Sequence, residues 1–347
     1  MRKLIIGLLC LVLLAVPVCA FEEEIPPAPE EATDLMPPET ESFAGGLWFI
    51  TKNAVSRISP AVSEAAAVCL GAFAVVLLGA VMTMFPGSKI GELTDLVCTV
   101  AIGLLLLQPT ASLIRLAVDT ITEICEYQKL LLPVLTAGLA AQGGTASAAA
   151  LYAGTAFFGS LMSTAVEKLL LPLVYVFLAL AVAGAALGQK LLHELKDFVK
   201  WLMTWLLKTV LYVFTGFMAV TGVISGTTDA VAVKAAKLTI SGVVPVVGGI
   251  LSDASETVLV SAGAVKNAAG IYGLLVAAAL GITPFLSIGI RYLMLKFTGA
   301  VSAVLGDRKP VKLISDFAAA MGLLLGMTGA VCFLFFISAV CFMKGMN

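Results

Sequence analysis

Long runs of uncharged, mostly apolar residues constrain the fold of this chain more than any other feature. Residues 96–114 and 169–188 contain no Asp, Glu, Lys or Arg, and the uncharged run 130–166 is nearly twice as long. A helix needs about 20 apolar residues to cross the hydrocarbon core of a bilayer. Only 12% of the 347 residues are charged, which is about half the share found in soluble domains. We therefore predict an all-α, polytopic helical membrane protein with about six to eight transmembrane helices.

The N-terminal part of the chain differs in composition from the rest. Residues 1–20 have a basic start, an apolar core and a small-residue ending, the pattern of a secretory signal peptide. Residues 21–42 are acidic and rich in proline, which predicts a disordered leader. Residues 43–64 carry apolar side chains at helical spacing, which predicts a helix lying at the membrane surface. Residues 65–347 then form the multi-span membrane domain, and the signal places the mature N-terminus outside the cytoplasm.

The apolar runs give the expected spans. They are residues 65–85, 96–114, 145–166, 169–188, 201–225, 267–290 and 317–343, of which 145–166 is a full span or a half-span. The charged segment 190–200 is predicted to be amphipathic, with a solvated face. A six-span arrangement puts the basic loops in the cytoplasm, in agreement with the positive-inside rule.

One segment between the spans is interrupted by proline and paired glycines. Residues 238–252 contain Pro245, Gly248 and Gly249 and are too short to cross a bilayer as a helix. Irregular backbone at membrane depth is tolerated only where protein or a water-filled cavity covers it. We therefore predict a re-entrant hairpin, with a short core segment between two true spans as the alternative.

A second segment has the same pattern. Residues 130–144 contain Pro133 near their start and end in Gly143 and Gly144. We interpret this stretch as a second short re-entrant segment, which packs centrally or against partner subunits.

Three acids flank the first hairpin. In a homo-oligomer, Asp229, Asp253 and Glu256 would form a ring that attracts cations at a pore. The alternative is that they start helices as capping residues, since Asp229 and Asp253 follow hydroxyl side chains.

Other chemistry is weakly represented in the sequence. The net charge is −1, so nucleic acid is not an expected partner, and there is a single histidine. The seven cysteines form no CxxC pair, and we interpret them as small buried hydrophobic residues. Nucleotide-loop, serine-hydrolase and zinc-protease motifs do not occur. We predict no catalytic residue, no metal site and no cofactor.

Two stretches carry a resemblance to a known family. LLLPVLTAGLAAQGG at residues 130–144 and TGVISGTTDAVAVKAAKLTISGVVPVVGGILSDASETV within residues 216–266 are similar to the stage III sporulation protein AE family of endospore-forming bacteria. The signal, the Pro/Glu-rich leader and the order of the spans agree, and the resemblance covers most of the chain from about Phe43 onward.

The resemblance implies a location and partners. It implies a multi-pass protein of the mother-cell membrane around the forespore, needed for forespore development. Its implied partners are the other stage III A proteins and, across the intermembrane space, the stage II Q protein, in a transenvelope channel or secretion-like apparatus. Two other functions stay open: a stand-alone secondary transporter or channel, because such proteins contain broken segments in both halves, and a non-conducting membrane scaffold.

Overall fold

A computed structural model describes residues 25–38, 42–82, 88–141, 145–220, 268–305 and 309–345. All regular elements in these ranges are helical, which confirms the predicted all-α class. In chain order the helices are α1 (Glu30–Thr33), α2 (Phe43–Ser56), α3 (Ser59–Met82), α4 (Ser88–Ala141), α5 (Thr145–Ala165), a π-helical turn (Val166–Leu170), α6 (Leu171–Leu187), α7 (Lys190–Val220), α8 (Ala268–Ala303) and α9 (Lys309–Gly345).

Six helical segments of the described ranges are long and apolar enough to cross a membrane. They are Ser59–Met82, Gly91–Leu139, Ala148–Leu187, Lys190–Met218, Ala269–Ala303 and Lys309–Met343. A polytopic membrane protein is therefore confirmed, and the number of segments lies at the lower end of the predicted range.

Helix α4 joins three stretches that differ in their sequence pattern. Its 54 residues contain the predicted span 96–114, the charged stretch that follows it and the first part of the predicted segment 130–144. Pro109 and Pro133 both lie inside the helix. Residues 130–141 are thus continuous with the preceding helix, and their re-entry into the membrane stays a prediction.

The predicted spans 145–166 and 169–188 are not separate helices. They form one helical segment, joined by the π-helical turn Val166–Leu170. Glu167 and Lys168 are in this turn, and both are exposed. Because the two charged side chains point away from the core, they do not end the helix. The π turn connects α5 to α6 without a break in the helical backbone.

Helix α4 and the α5–α6 segment pack as an antiparallel hairpin. Gly159 of α5 lies against Gln128 of α4, and Gly103 of α4 lies against Val182 of α6. The two contacts keep the same register over both halves, so the hairpin runs the length of both segments.

Helix α9 is the centre of the bundle. It forms a second antiparallel hairpin with α8, in which Gly281 lies against Cys332. It runs parallel to α4, where the rings of Tyr127 and Phe335 stack with centroids 6.2 Å apart. Within its most apolar stretch, 78% of the residues are buried, compared with 33% for α3. The other long helices therefore surround α9.

One end of the bundle collects a tight turn and a helix start. Gly188 ends α6 in the left-handed region, with φ 68°, a conformation that glycine adopts without strain. A Cβ at this position would lie 3.1 Å from Nζ of Lys309 at the start of α9. The α6–α7 turn and the α8–α9 turn are therefore neighbours on the same side of the molecule.

The structure describes residues 25–38 of the leader, and these pack against α8. Ala32 and Leu35 are buried, and the Ala28 N–H donates to the hydroxyl of Tyr272 on α8 at 3.2 Å. Arg57 pairs with Asp34 at 3.3 Å. The few apolar residues of the leader pack against α8, and this packing cannot be predicted from composition alone.

Helix α2 covers α8 from outside. Its first turn is capped by Ser42, whose hydroxyl oxygen accepts from the Gly45 N–H at 3.2 Å. Phe43 and Ile50 are buried, whereas Trp48 is 72% exposed. Helix α2 ends at Ser56 and α3 begins at Ser59, and a helix at the membrane surface over residues 43–64 stays a prediction.

Candidate functional site

Most residues predicted for the hairpins and the pore lie outside the described residues. These are Gly143, Gly144, Asp229, Pro245, Gly248, Gly249, Asp253 and Glu256. Pro133 is described and lies within α4, with its ring exposed. The roles assigned to this set therefore stay predictions.

The described residues on either side of segment 221–267 pack closely against the bundle. Phe217, near the end of α7, lies on Gly154 of α5 so tightly that a Cβ there would overlap its ring. At the start of α8, a Cβ on Gly270 would overlap Met343 of α9. Small residues allow such close approach between membrane helices, so the end of α7 and the start of α8 both pack tightly against neighbouring helices.

The start of α8 also contacts the stretch that contains Pro133. Gly273 lies on Leu131 of α4, again without room for a Cβ. Leu131 is two residues before Pro133. The structure thus brings the described part of segment 130–144 next to α8, the helix that follows segment 238–252 in the chain.

A buried ion pair connects α7 and α9. Nζ of Lys196 lies 2.8 Å from both carboxylate oxygens of Asp316. The two side chains are only 11% and 18% exposed. The predicted solvated face of segment 190–200 is wrong at Lys196, because the helix turns this side chain inward to a carboxylate 120 residues away.

A second ion pair connects α3 and α8. Nη2 of Arg291 lies 2.8 Å from Oε1 of Glu64. The arginine side chain is 5% exposed, whereas the glutamate is 63% exposed. Nη1 of Arg291 is buried and has no hydrogen-bond partner among the described residues. This half of the guanidinium retains an unused donor in an apolar environment, which is a costly arrangement.

Neither ion pair is evident from the sequence alone. Asp316 directly precedes the apolar run 317–343, and Arg291 directly follows the run 267–290. A charge at the edge of an apolar run fits a snorkelling or solvated residue equally well. The sequence does indicate that an ionisable group at the edge of an apolar run needs a partner. It does not identify the partners, because they lie 120 and 227 residues away in the chain.

Several buried hydroxyl groups lack partners as well. Tyr127, Thr155 and Ser338, on α4, α5 and α9, each have a buried oxygen without a hydrogen bond to a described residue. Buried polar groups of this kind are commonly satisfied by internal water. Across the described ranges, no group of three or more His, Cys, Asp or Glu side chains is arranged to hold a metal ion.

Long apolar helices, buried ion pairs and close glycine contacts together define a polytopic helical membrane protein with a tightly packed core. The sequence model of the stage III sporulation protein AE family matches residues 50–345, and the chain belongs to that family.

A bacterial relative is similar to this chain over most of its length. Stage III sporulation protein AE of Bacillus subtilis (strain 168) is 22% identical over 263 residues. That match covers 76% of this chain and 66% of the relative, so it spans just under two thirds of the relative's length. No solved structure matches the chain.

Proposed function

We propose that this protein is a membrane component of the transenvelope channel, a secretion-like apparatus, between the mother cell and the forespore. The observation that carries the proposal is family membership over residues 50–345, combined with six segments of membrane-spanning length and composition. In this proposal the chain resides in the mother-cell membrane around the forespore, with its mature N-terminus on the extracytoplasmic side.

The proposed partners are the other stage III A proteins and, across the intermembrane space, the stage II Q protein. A surface that supports a partner is the exposed aromatic series on α7. Phe198, Trp201 and Trp205 are 55%, 57% and 50% exposed. The ring centroids of Phe198 and Trp201 are 5.8 Å apart, and those of Trp201 and Trp205 are 6.2 Å apart. Aromatic residues of this kind are enriched at protein interfaces.

The first test is complementation. The gene should restore late forespore gene expression in an endospore-forming host that lacks its own family member. Failure of a stably produced, membrane-inserted protein to do so would argue against the proposal.

The second test is site-specific photo-cross-linking during sporulation. A photoreactive amino acid at Trp201 should capture another stage III A protein, because this side chain is exposed. The same probe at Phe317, which is fully buried, is the matched control and should capture nothing. Coupled solute uptake by the purified protein in proteoliposomes, without such cross-links, would favour a stand-alone transporter instead.

A further inference from the structure

The surface between α4 and α6 contains an open, apolar groove of about 370 Å³. Leu107, Ala111 and Ile114 line one side, and Tyr175, Val182 and Ala183 are on the other. A volume of this size lies in the range of small-molecule sites. The lining is apolar except for the tyrosine hydroxyl, so the groove suits an aliphatic chain.

The depth of the groove fits the hydrocarbon core. It lies beside the uncharged stretch 96–114 of α4 and against the uncharged helix α6. Neighbouring side chains such as Leu104, which is 68% exposed, present apolar surface at the same level. An aqueous ligand would have to cross this apolar surface, whereas a lipid chain reaches the groove from the side.

Charged side chains begin where the groove ends. Arg115 follows Ala111 by one helical turn on the same face of α4, and Lys168 lies in the π-helical turn that directly precedes α6. Both are exposed, and neither forms an ion pair with a described residue. Two free cations at the mouth of an apolar groove match the phosphate of a lipid headgroup.

Acidic side chains lie beside these cations. Asp119 is one turn beyond Arg115 on α4, and Glu167 is adjacent to Lys168 and accepts a hydrogen bond from Ser163 at 3.1 Å. A headgroup that carries both a phosphate and an ammonium satisfies both signs of charge, whereas a headgroup with extra negative charge would be repelled by the acids.

We propose that the α4–α6 groove binds one acyl chain of a phospholipid whose phosphate contacts Arg115 and Lys168, with an amine-bearing headgroup such as phosphoethanolamine preferred. This site goes beyond the proposed function and does not depend on it. In this proposal the lipid is a structural ligand that fills the groove on the outer face of the α4/α5–α6 hairpin.

The test uses the full-length protein in nanodiscs that contain a phosphatidylethanolamine with a photoreactive acyl chain. Adducts should concentrate on α6 between Tyr175 and Ala186. Ala183→Phe fills the groove and should lower this yield about tenfold, which corresponds to about 1.4 kcal/mol of binding free energy. The matched control Ala74→Phe, on the exposed face of α3, should leave the yield unchanged.

A second comparison tests the headgroup contact without altering the groove. Arg115→Gln should reduce the yield for the phospholipid several-fold but not for a diacylglycerol with the same chains, which lacks the phosphate. Lys129→Gln, an exposed cation further along α4, is the control and should have no effect. Because Arg115 is exposed, this variant should fold normally.

Two outcomes would overturn the proposal. One is equal labelling of the groove and of the exposed Leu104, unaffected by Ala183→Phe, which indicates ordinary surrounding lipid. The other is capture of a protein helix rather than lipid by a photoreactive residue placed at Ala179 in native membranes.

Discussion

At the residue scale, the buried pair Lys196–Asp316 is the contact with the largest expected effect on stability. Asp316→Asn keeps the shape of the side chain but leaves the Lys196 ammonium buried and without a counter-charge. Breaking a buried ion pair costs about 3 to 5 kcal/mol. We expect a clearly lower thermal unfolding midpoint in detergent, measured by circular dichroism.

The control for this prediction is a neighbouring carboxylate that lies outside the pair. Asp197→Asn removes an exposed acid on the same helix and should change the midpoint little, because exposed charges contribute about 1 kcal/mol or less. The double exchange of Lys196→Asp with Asp316→Lys should recover part of the loss. Equal losses for Asp316→Asn and Asp197→Asn would show that the pair is not stabilising.

At the element scale, close contact between α5 and α7 depends on Gly154. Gly154→Leu would drive a side chain into the ring of Phe217, and overpacking of this kind costs about 1 to 3 kcal/mol or more. The end of α7 should then separate from α5, which a lower unfolding midpoint and loss of complementation would report. Ala153→Leu, on the exposed face of the same turn, should be tolerated, and similar effects of the two variants would refute the contact.

The docked leader gives a second prediction at this scale. Leu35 is 4% exposed, so Leu35→Asp places a charge in an apolar contact and should release residues 25–38 from α8. The released segment should be cleaved by added protease several times faster in purified protein, as followed by mass spectrometry. Pro38→Asp introduces the same charge at an exposed position, and unchanged cleavage in both variants would mean that the docking is weaker than the burial indicates.

At the scale of the whole molecule, the neighbouring turns fix part of the topology. Gly188 and Lys309 lie side by side, so cysteines introduced at Gln189 and Asp307 should report the same compartment, which we expect to be the cytoplasm. A cysteine at Gly143 should report the opposite side, since α4 and α5–α6 run antiparallel. Labelling with a membrane-impermeant thiol reagent checks this, and opposite results for Gln189 and Asp307 would exclude the bundle described above.

Much of the architecture was predictable because the length of an apolar run directly limits what the run can do in a bilayer. Helical class and the approximate number of spans followed from this limit. The joining of 145–166 to 169–188 did not, because a charged pair such as Glu167–Lys168 interrupts a pattern without necessarily interrupting a helix. The partners of Lys196 and Arg291 were inaccessible for another reason: they lie far away in the chain, and only the folded bundle brings them together.

The length of α4 limits how it can sit in a bilayer. At a rise of about 1.5 Å per residue, its 54 residues form a rod of about 80 Å, against a hydrocarbon core of about 30 Å. Even at a tilt of 40°, such a rod is longer than the membrane is thick, so part of it must stand outside the lipid. The α5–α6 segment packs antiparallel along α4, so it projects beyond the lipid together with α4.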